Sequence, residues 1–305
     1  MSDNYVRFWG VRGSYPAPFS THMKVGGNTP CVEIRSGDQL FILDAGTGII
    51  PLGNALMGQS EIRTVTIILT HYHWDHISGL PFFVPAFVPG WKINIYGPAD
   101  SASELEFHIA QQMRAPYFPV ETETWLADIN YETPGDSLKF DNVEVNHFTM
   151  HHPGLTYAYR LTINDKIVVY APDNELAFIN QAIDDRKDEF DEHEQLLLEE
   201  MKEEQKWRGL EFMDKADILI HDAQYTPEDY AKKRGWGHSC YIETVTSAID
   251  AGVKGLYLFS HDPNYDDEKL EILRDNASEL ARQQNSKMPC SLAVEGVQID
   301  LDTDT

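Results

Sequence analysis

Three histidines and an aspartate fall within one seven-residue stretch, Thr70-His71-Tyr72-His73-Trp74-Asp75-His76, directly after the apolar, β-branched run Val65 to Leu69. This constrains the fold more than any other feature, because it sets a dense polar cluster where a buried strand runs out into a loop. In extended backbone, side chains at i and i+2 share a face, so His71 and His73 can reach one metal ion. Asp75 and His76 follow after the chain turns and can face a second ion a few ångströms away. Gathering four such groups in a partly buried loop is unfavourable unless a cation satisfies them, so the stretch reads as a metal centre rather than as separate core histidines.

Three further segments repeat the form of an apolar strand ending in a ligand type. Val143 to Met150 leads to His151-His152-Pro153-Gly154, Ile167 to Tyr170 leads to Ala171-Pro172-Asp173, and Gly255 to Ser260 leads to His261-Asp262-Pro263. Each is weak alone; together they set ligands along one edge of the sheets, where an open α/β architecture builds its site. The pattern around them predicts a β-meander over Val6 to Trp9, Cys31 to Arg35 and Leu40 to Leu43, then buried strands at Val65 to Leu69 and Ile93 to Tyr96. A helix starts at Ile77 and is broken by prolines; residues 100 to 113 read as helical and 114 to 137 as irregular. Strands return at Val143 to Phe148, Tyr157 to Ile163 and Ile167 to Tyr170. Later strands at Ile218 to Ile220, Gly255 to Phe259 and Leu292 to Val294 alternate with helices at 241 to 251 and 267 to 284. Strands first and mixed units after predict a layered α/β domain with central sheets and outer helices. No repeat or interdomain linker interrupts it, so residues 1 to 305 read as one domain with a helical insertion around 174 to 213. Its acidic segment Asp184 to Glu204 carries Phe190, Leu197 and Met201 at helical spacing and reads as a solvated amphipathic helix, with a lid or dimer contact as the sharper alternative.

Composition narrows the partners. Lys plus Arg is 24 against 49 for Asp plus Glu, a net charge of −25, which repels a polyphosphate backbone and disfavours long nucleic acid. A small anionic substrate stays compatible, because bound divalent cations reverse the potential locally. The longest apolar stretches fall far short of the roughly 18 residues of a membrane span, and the N-terminus shows no secretory pattern, so the expected setting is soluble and cytoplasmic. Cys31, Cys240 and Cys290 have no paired spacing and read as reduced, buried thiols.

The ordered motifs resemble the metallo-β-lactamase fold superfamily over nearly the whole chain. His-x-His-x-Asp-His matches at residues 71 to 76, and Leu43-Asp44-Ala45-Gly46-Thr47-Gly48 is similar to the preceding motif, whose aspartate supports the metal site from behind its ligands. His152 matches the third motif through His-Pro-Gly-Leu-Thr-Tyr-Ala-Tyr, which leaves His151 as its neighbour. The resemblance implies a four-layer αββα sandwich. It also implies that His71, His73 and His152 hold one metal, Asp75, His76 and His261 the other, with Asp173 bridging. Imidazoles plus carboxylates suit two zinc ions first, with manganese or iron as alternatives. Histidine at position 73, not glutamate, resembles the hydrolases more than the di-iron oxygen-reducing members.

Two segments point to the branch of ribonuclease Z and cyclic phosphodiesterases. Ile218-Leu219-Ile220-His221-Asp222-Ala223 resembles the His-Glu-Ala loop of that branch with Asp222 in place of Glu, and Gly237-His238-Ser239 resembles its Gly-His-Ser/Thr motif. The implied chemistry is hydrolysis of small or cyclic phosphodiesters such as cyclic nucleotides by a metal-bridging hydroxide. Asp75 would be ligand and proton acceptor, His238 the general acid and Asp222 its orienter. The acidic chain has no basic, glycine-rich arm of the kind that grips tRNA, which favours the small substrates. Hydrolysis of a lactone, ester or lactam is the rival within enzymes. A non-hydrolytic di-metal protein sensing oxygen or redox state, or an acidic scaffold, is the rival of another class. Relatives in this branch are often dimers, which implies a homodimer.

Overall fold

The structure is a computed structural model that describes residues 4–58, 62–178 and 189–303. The meander forms as expected: β1 (Asn4–Gly10), β2 (Cys31–Ser36) and β3 (Gln39–Leu43) pair antiparallel, with Gly37 at φ 57° in the tight turn between the last two. Then β4 (Thr64–Ile68), β5 (Lys92–Tyr96) and β6 (Asp128–Glu132) add parallel to β3 in that order. A second sheet begins with β7 (Ser137–Phe140), β8 (Val143–Thr149), β9 (Tyr157–Ile163) and β10 (Lys166–Ala171), all antiparallel. It continues parallel through β11 (Ile218–Asp222), β12 (Leu256–Phe259) and β13 (Cys290–Leu292). Last, β14 (Gln298–Asp300) closes the outer edge of β1, so each sheet has seven strands.

Among the described residues the helices are α1 (Ile49–Met57), α2 (Trp74–Ile77), α3 (Ala102–Gln111), α4 (Glu192–Met213), α5 (Pro227–Tyr230), α6 (Tyr241–Asp250) and α7 (Asp267–Gln283). One core lies between the sheets, where Phe8, Ile34, Phe41 and Leu43 belong to the same cluster as Val145, Leu161, Tyr170 and Phe259. On the outer face of the first sheet, Ile42, Val65, Ile67 and Ile93 pack with Leu52 of α1 and Leu105 of α3. Helices α6 and α7 cover the second sheet against β11, β12 and β13. Helix, sheet, sheet, helix is thus the layer order. Each fully buried aliphatic or aromatic side chain adds about 1.5–3 kcal/mol of transfer free energy, so these interfaces hold the strand ends that carry the polar cluster.

Four departures from the sequence reading have physical reasons. β6 lies in the stretch read as irregular: it is an edge strand, only partly covered, and so lacks the apolar run of a central one. β7 and β14 are short edge strands and leave equally little pattern. β13 sits at 290–292, two residues ahead of the expected 292 to 294. In place of a helix starting at Ile77, the single turn α2 ends there and short 3₁₀ turns follow at Leu80–Phe82 and Val84–Phe87, because Pro81 and Pro85 remove helix-interior donors. Of the acidic insertion, residues 179–188 lie outside the described residues; α4 follows, with Asp191 and Glu194 forming a reciprocal cap. Leu197 and Met201 of α4 are 46% and 62% exposed, so that helical face is not docked on the core. Among the described residues, no helix is long and apolar enough to cross a membrane.

Candidate metal centre and active site

Asp44 organises the loop that follows β4. It takes φ 59°, a left-handed conformation that aspartate tolerates better than most residues, and sits wholly buried between the sheets. Its Oδ1 accepts the Thr70 N–H at 2.8 Å, and its Oδ2 accepts from the Tyr170 hydroxyl at 2.9 Å and the His76 Nδ1 at 2.7 Å. His76 is therefore fixed with Nδ1 as donor, leaving Nε2 free to act as a ligand, the arrangement that orients metal-bound histidines. Gly46 lets the 44–48 turn press on α2: a Cβ there would lie 2.2 Å from the Asp75 carbonyl oxygen.

Four residues from three strand ends meet beside this loop. Ligand-type atoms of His71, His73, His152 and Asp173 all lie within 4.8 Å of one another. Asp173 Oδ2 is 3.7 Å from His71 Nε2 and 3.6 Å from His152 Nε2, while His73 Nδ1 is 2.9 Å from His152 Nε2. Burial pushes the pKa of all three imidazoles down, so they are neutral ligands at pH 7. Asp75, His76 and Asp173 make a second group, with His76 Nε2 at 3.3 Å from Asp75 Oδ2 and 3.2 Å from Asp173 Oδ2. Burial opposes a charge on His76, yet Asp173, Asp75 and Asp44 outweigh it and raise its pKa well above the ordinary value. The negative charge that keeps a proton there is the charge a divalent ion would neutralise. His71 Nε2 and His76 Nε2 are buried without a hydrogen-bond partner, which is unfavourable unless each is taken by an ion. The residues fit two ions, with Asp173 common to both.

His261 is the one expected ligand that these groups do not gather. Its Nε2 donates to the Ala293 carbonyl at 2.9 Å, and its Nδ1 is buried without a partner. Its neighbour Ser260, at φ 56°, reaches Asp173 Oδ1 through Oγ at 3.3 Å. The backbone of Gly13 donates to the His261 carbonyl at 3.1 Å, and the next N–H, of Ser14, donates to Asp75 Oδ2 at 2.8 Å.

His238 and Asp222 form a third group with Asp173. His238 Nδ1 lies 2.6 Å from Asp222 Oδ2, and both side chains are buried. Burial disfavours the imidazolium, but Asp222 and Asp173 prevail and the His238 pKa is pushed up to about 9. Asp222 is held in place by the N–H groups of Asn174, Gln224 and Ser239. Glu175 takes the N–H groups of Gly235 and Gly237 at 2.8 Å each, clamping the loop before His238. Gly237, at φ 87°, lies so close to His152 that a Cβ would fall 2.3 Å from Nδ1, and its carbonyl accepts from that Nδ1 at 2.8 Å. Ser14, Glu175 and Tyr170 have no mark in the local pattern, because they reach the site only once the sheets pack. Tyr170 ends an apolar run and reads there as core.

The groups open into a cavity of about 650 Å³ lined by His73, Asp75, His152, Asp173, Tyr225 and His238, among others. A second cavity of about 350 Å³ shares Tyr72, His73 and Pro153 with it and runs on to Asp100, Glu104 and His108.

Comparison with known proteins agrees with this geometry. Residues 41–261 match the family described as "Beta-lactamase superfamily domain". The chain is similar to the ribonuclease Z of Picrophilus torridus, 23% identical over 298 residues that cover 90% of each protein. Against several other archaeal ribonuclease Z proteins the chain spans about half of their length. Its fold is shared with the metallo-beta-lactamase fold protein YhfI from Bacillus subtilis (TM-score 0.65, 19% identity, 98% of this chain and 99% of that one). It is also shared with a diphosphatase of the PhnP family (TM-score 0.62, 16% identity, 98% of each). The chain belongs to the metallo-β-lactamase superfamily, in its ribonuclease Z-like branch, and is a metal-dependent hydrolase built to bind divalent ions.

Proposed function

We propose that this hydrolase cleaves small or cyclic phosphodiesters, with cyclic nucleotides the leading class. The observation that carries this reading is the Asp222–His238 pair, 2.6 Å apart and set against Asp173 at the wall of the 650 Å³ cavity. With Nδ1 held by Asp222, the other ring nitrogen of a protonated His238 is the proton donor. An alkoxide leaving from phosphorus needs such an acid, whereas acyl transfer from a lactone or lactam makes less use of one. His71, His73, His152 and Asp173 would hold one divalent ion, and Asp75, His76 and Asp173 the other, with His261 Nδ1 as its fourth donor. Bound there, the ions would supply Lewis acidity and a water of lowered pKa. Asp75 would accept a proton there, its Oδ2 held by the Ser14 N–H at 2.8 Å.

Ribonuclease Z is by its name an RNA-cleaving enzyme, but two features favour a smaller substrate here. Among the described residues, Lys233 is the only lysine or arginine lining the cavity, and its ammonium already pairs with Asp262 at 2.6 Å. The chain as a whole carries −25 charges. A polyanion would find little to replace its counterions. Zinc, a cytoplasmic setting and a homodimer belong to the same reading by resemblance. The test is turnover on bis-p-nitrophenyl phosphate, 2′,3′-cyclic nucleotides, a precursor tRNA, a lactone and a β-lactam. The two small phosphodiesters are expected to be cleaved fastest; faster turnover of the tRNA or of either acyl substrate would overturn the proposal.

A further inference from the structure

Two tryptophans stand on the wall of the candidate active site with their rings in solvent. Trp74 is 78% exposed and Trp236 is 62% exposed, and both line the cavity that holds His73, Asp75, His152 and His238. An isolated exposed ring is ordinary on a protein surface. Two lining one cavity, amid histidines and carboxylates, form an apolar feature that the fold does not use. Neither ring packs on another aromatic ring among the described residues.

Their backbones, by contrast, are fixed. Trp74 follows His73 directly and opens α2, where its carbonyl accepts the Ser78 N–H at 2.7 Å. Trp236 lies between Gly235 and Gly237, whose N–H groups Glu175 holds at 2.8 Å each, and Gly237 is pressed against His152. A rigid mount carrying an unpacked aromatic face lowers the ordering penalty of binding, as in pockets that anchor a ligand by an apolar surface and orient it by a few polar groups. Aromatic rings presented this way stack on bases without regard to sequence.

We propose that Trp74 and Trp236 form the stacking site for the aromatic base of a nucleotide whose phosphate sits at His73, Asp75, His152 and His238. This deepens the phosphodiesterase reading and rests on its claim that the cavity takes a phosphate compound. It narrows the substrate class to phosphodiesters of nucleosides, and it sets sugar or glycerol phosphodiesters aside.

The test is calorimetric titration of the metal-loaded protein with adenosine 5′-monophosphate and, separately, ribose 5-phosphate, which differ only in the base. Stacking on one ring changes affinity by about 5- to 150-fold, so the nucleotide should bind at least about fivefold tighter than the sugar phosphate. In the double variant Trp74→Ala/Trp236→Ala the two constants should converge, and Trp74→Phe/Trp236→Phe should restore much of the gap. Equal affinities in the unaltered protein, a nucleotide preference that survives the double alanine variant, or no detectable nucleotide binding would each overturn the stacking site. Binding is read without turnover, so the outcome stays separate from the substrate panel: base preference with no phosphodiester cleavage sinks the activity alone, and cleavage without base preference sinks the stacking site alone.

Discussion

The two candidate ion groups differ although Asp173 belongs to both. The first draws three neutral imidazoles, His71, His73 and His152, from two strand ends, and burial has already removed their protons. The second gathers one imidazole, His76, with His261 as its proposed further donor, and Asp173, Asp75 and Asp44 outweigh burial to raise the His76 pKa. Burial favours the neutral, ligand-ready form of the first group's imidazoles, whereas the carboxylates around His76 favour a proton that an ion would displace, so binding at the second position is the more pH-dependent. Imidazole-rich and oxygen-rich sites also rank metals differently, so the two positions need not hold ions with equal preference. A shared bridge between unlike halves makes the pair the unit on which activity depends.

The largest expected effect follows from the bridge. Asp173→Ala should release both ions and abolish turnover; a variant that keeps two ions in elemental analysis would remove Asp173 from its bridging place. His261→Ala should release the second ion and leave the first, and unchanged metal content would show that the Nδ1 of His261 is not the missing donor. His238→Ala should keep both ions and reduce kcat by about 10²–10⁴-fold, as for a lost general acid. Retained turnover there would take the proton donor out of the scheme. Asp44→Asn should weaken the second ion by about 10–100-fold through loss of the His76 orientation, with the first little changed. Equal weakening of both in metal titrations would erase the contrast. The smallest effect is one of order: as pH falls, the second ion should leave before the first, and simultaneous release would mean that the halves respond to protons alike.

How far these groups were legible in the chain depends on sequence distance. The 70–76 cluster announces itself because its ligands share one loop, and His152 and Asp173 because each ends an apolar strand. The parallel pairing of β10 with β11 then brings Asp173 and Asp222 to the same sheet edge. By the same logic the two-sheet core was readable from Val65 to Leu69 and Ile93 to Tyr96, whose strands are covered on both faces. β6 escaped notice because an edge strand needs no such run, and its pairing with β5 joins residues 36 apart. Glu175 escaped because its partners, the Gly235 and Gly237 N–H groups and the Tyr230 hydroxyl, are 55 to 62 residues away and nothing local marks such a carboxylate. Trp74 was in plain view inside the cluster, but the sequence cannot say whether a tryptophan points to core or cavity, and only its 78% exposure decides.

The number of ions that the protein holds tests the paired centre most directly. Elemental analysis of the purified chain, reconstituted with divalent metal and freed of excess, should give two ions per chain. A plateau at one, or none, would contradict the paired centre and the hydrolytic chemistry derived from it.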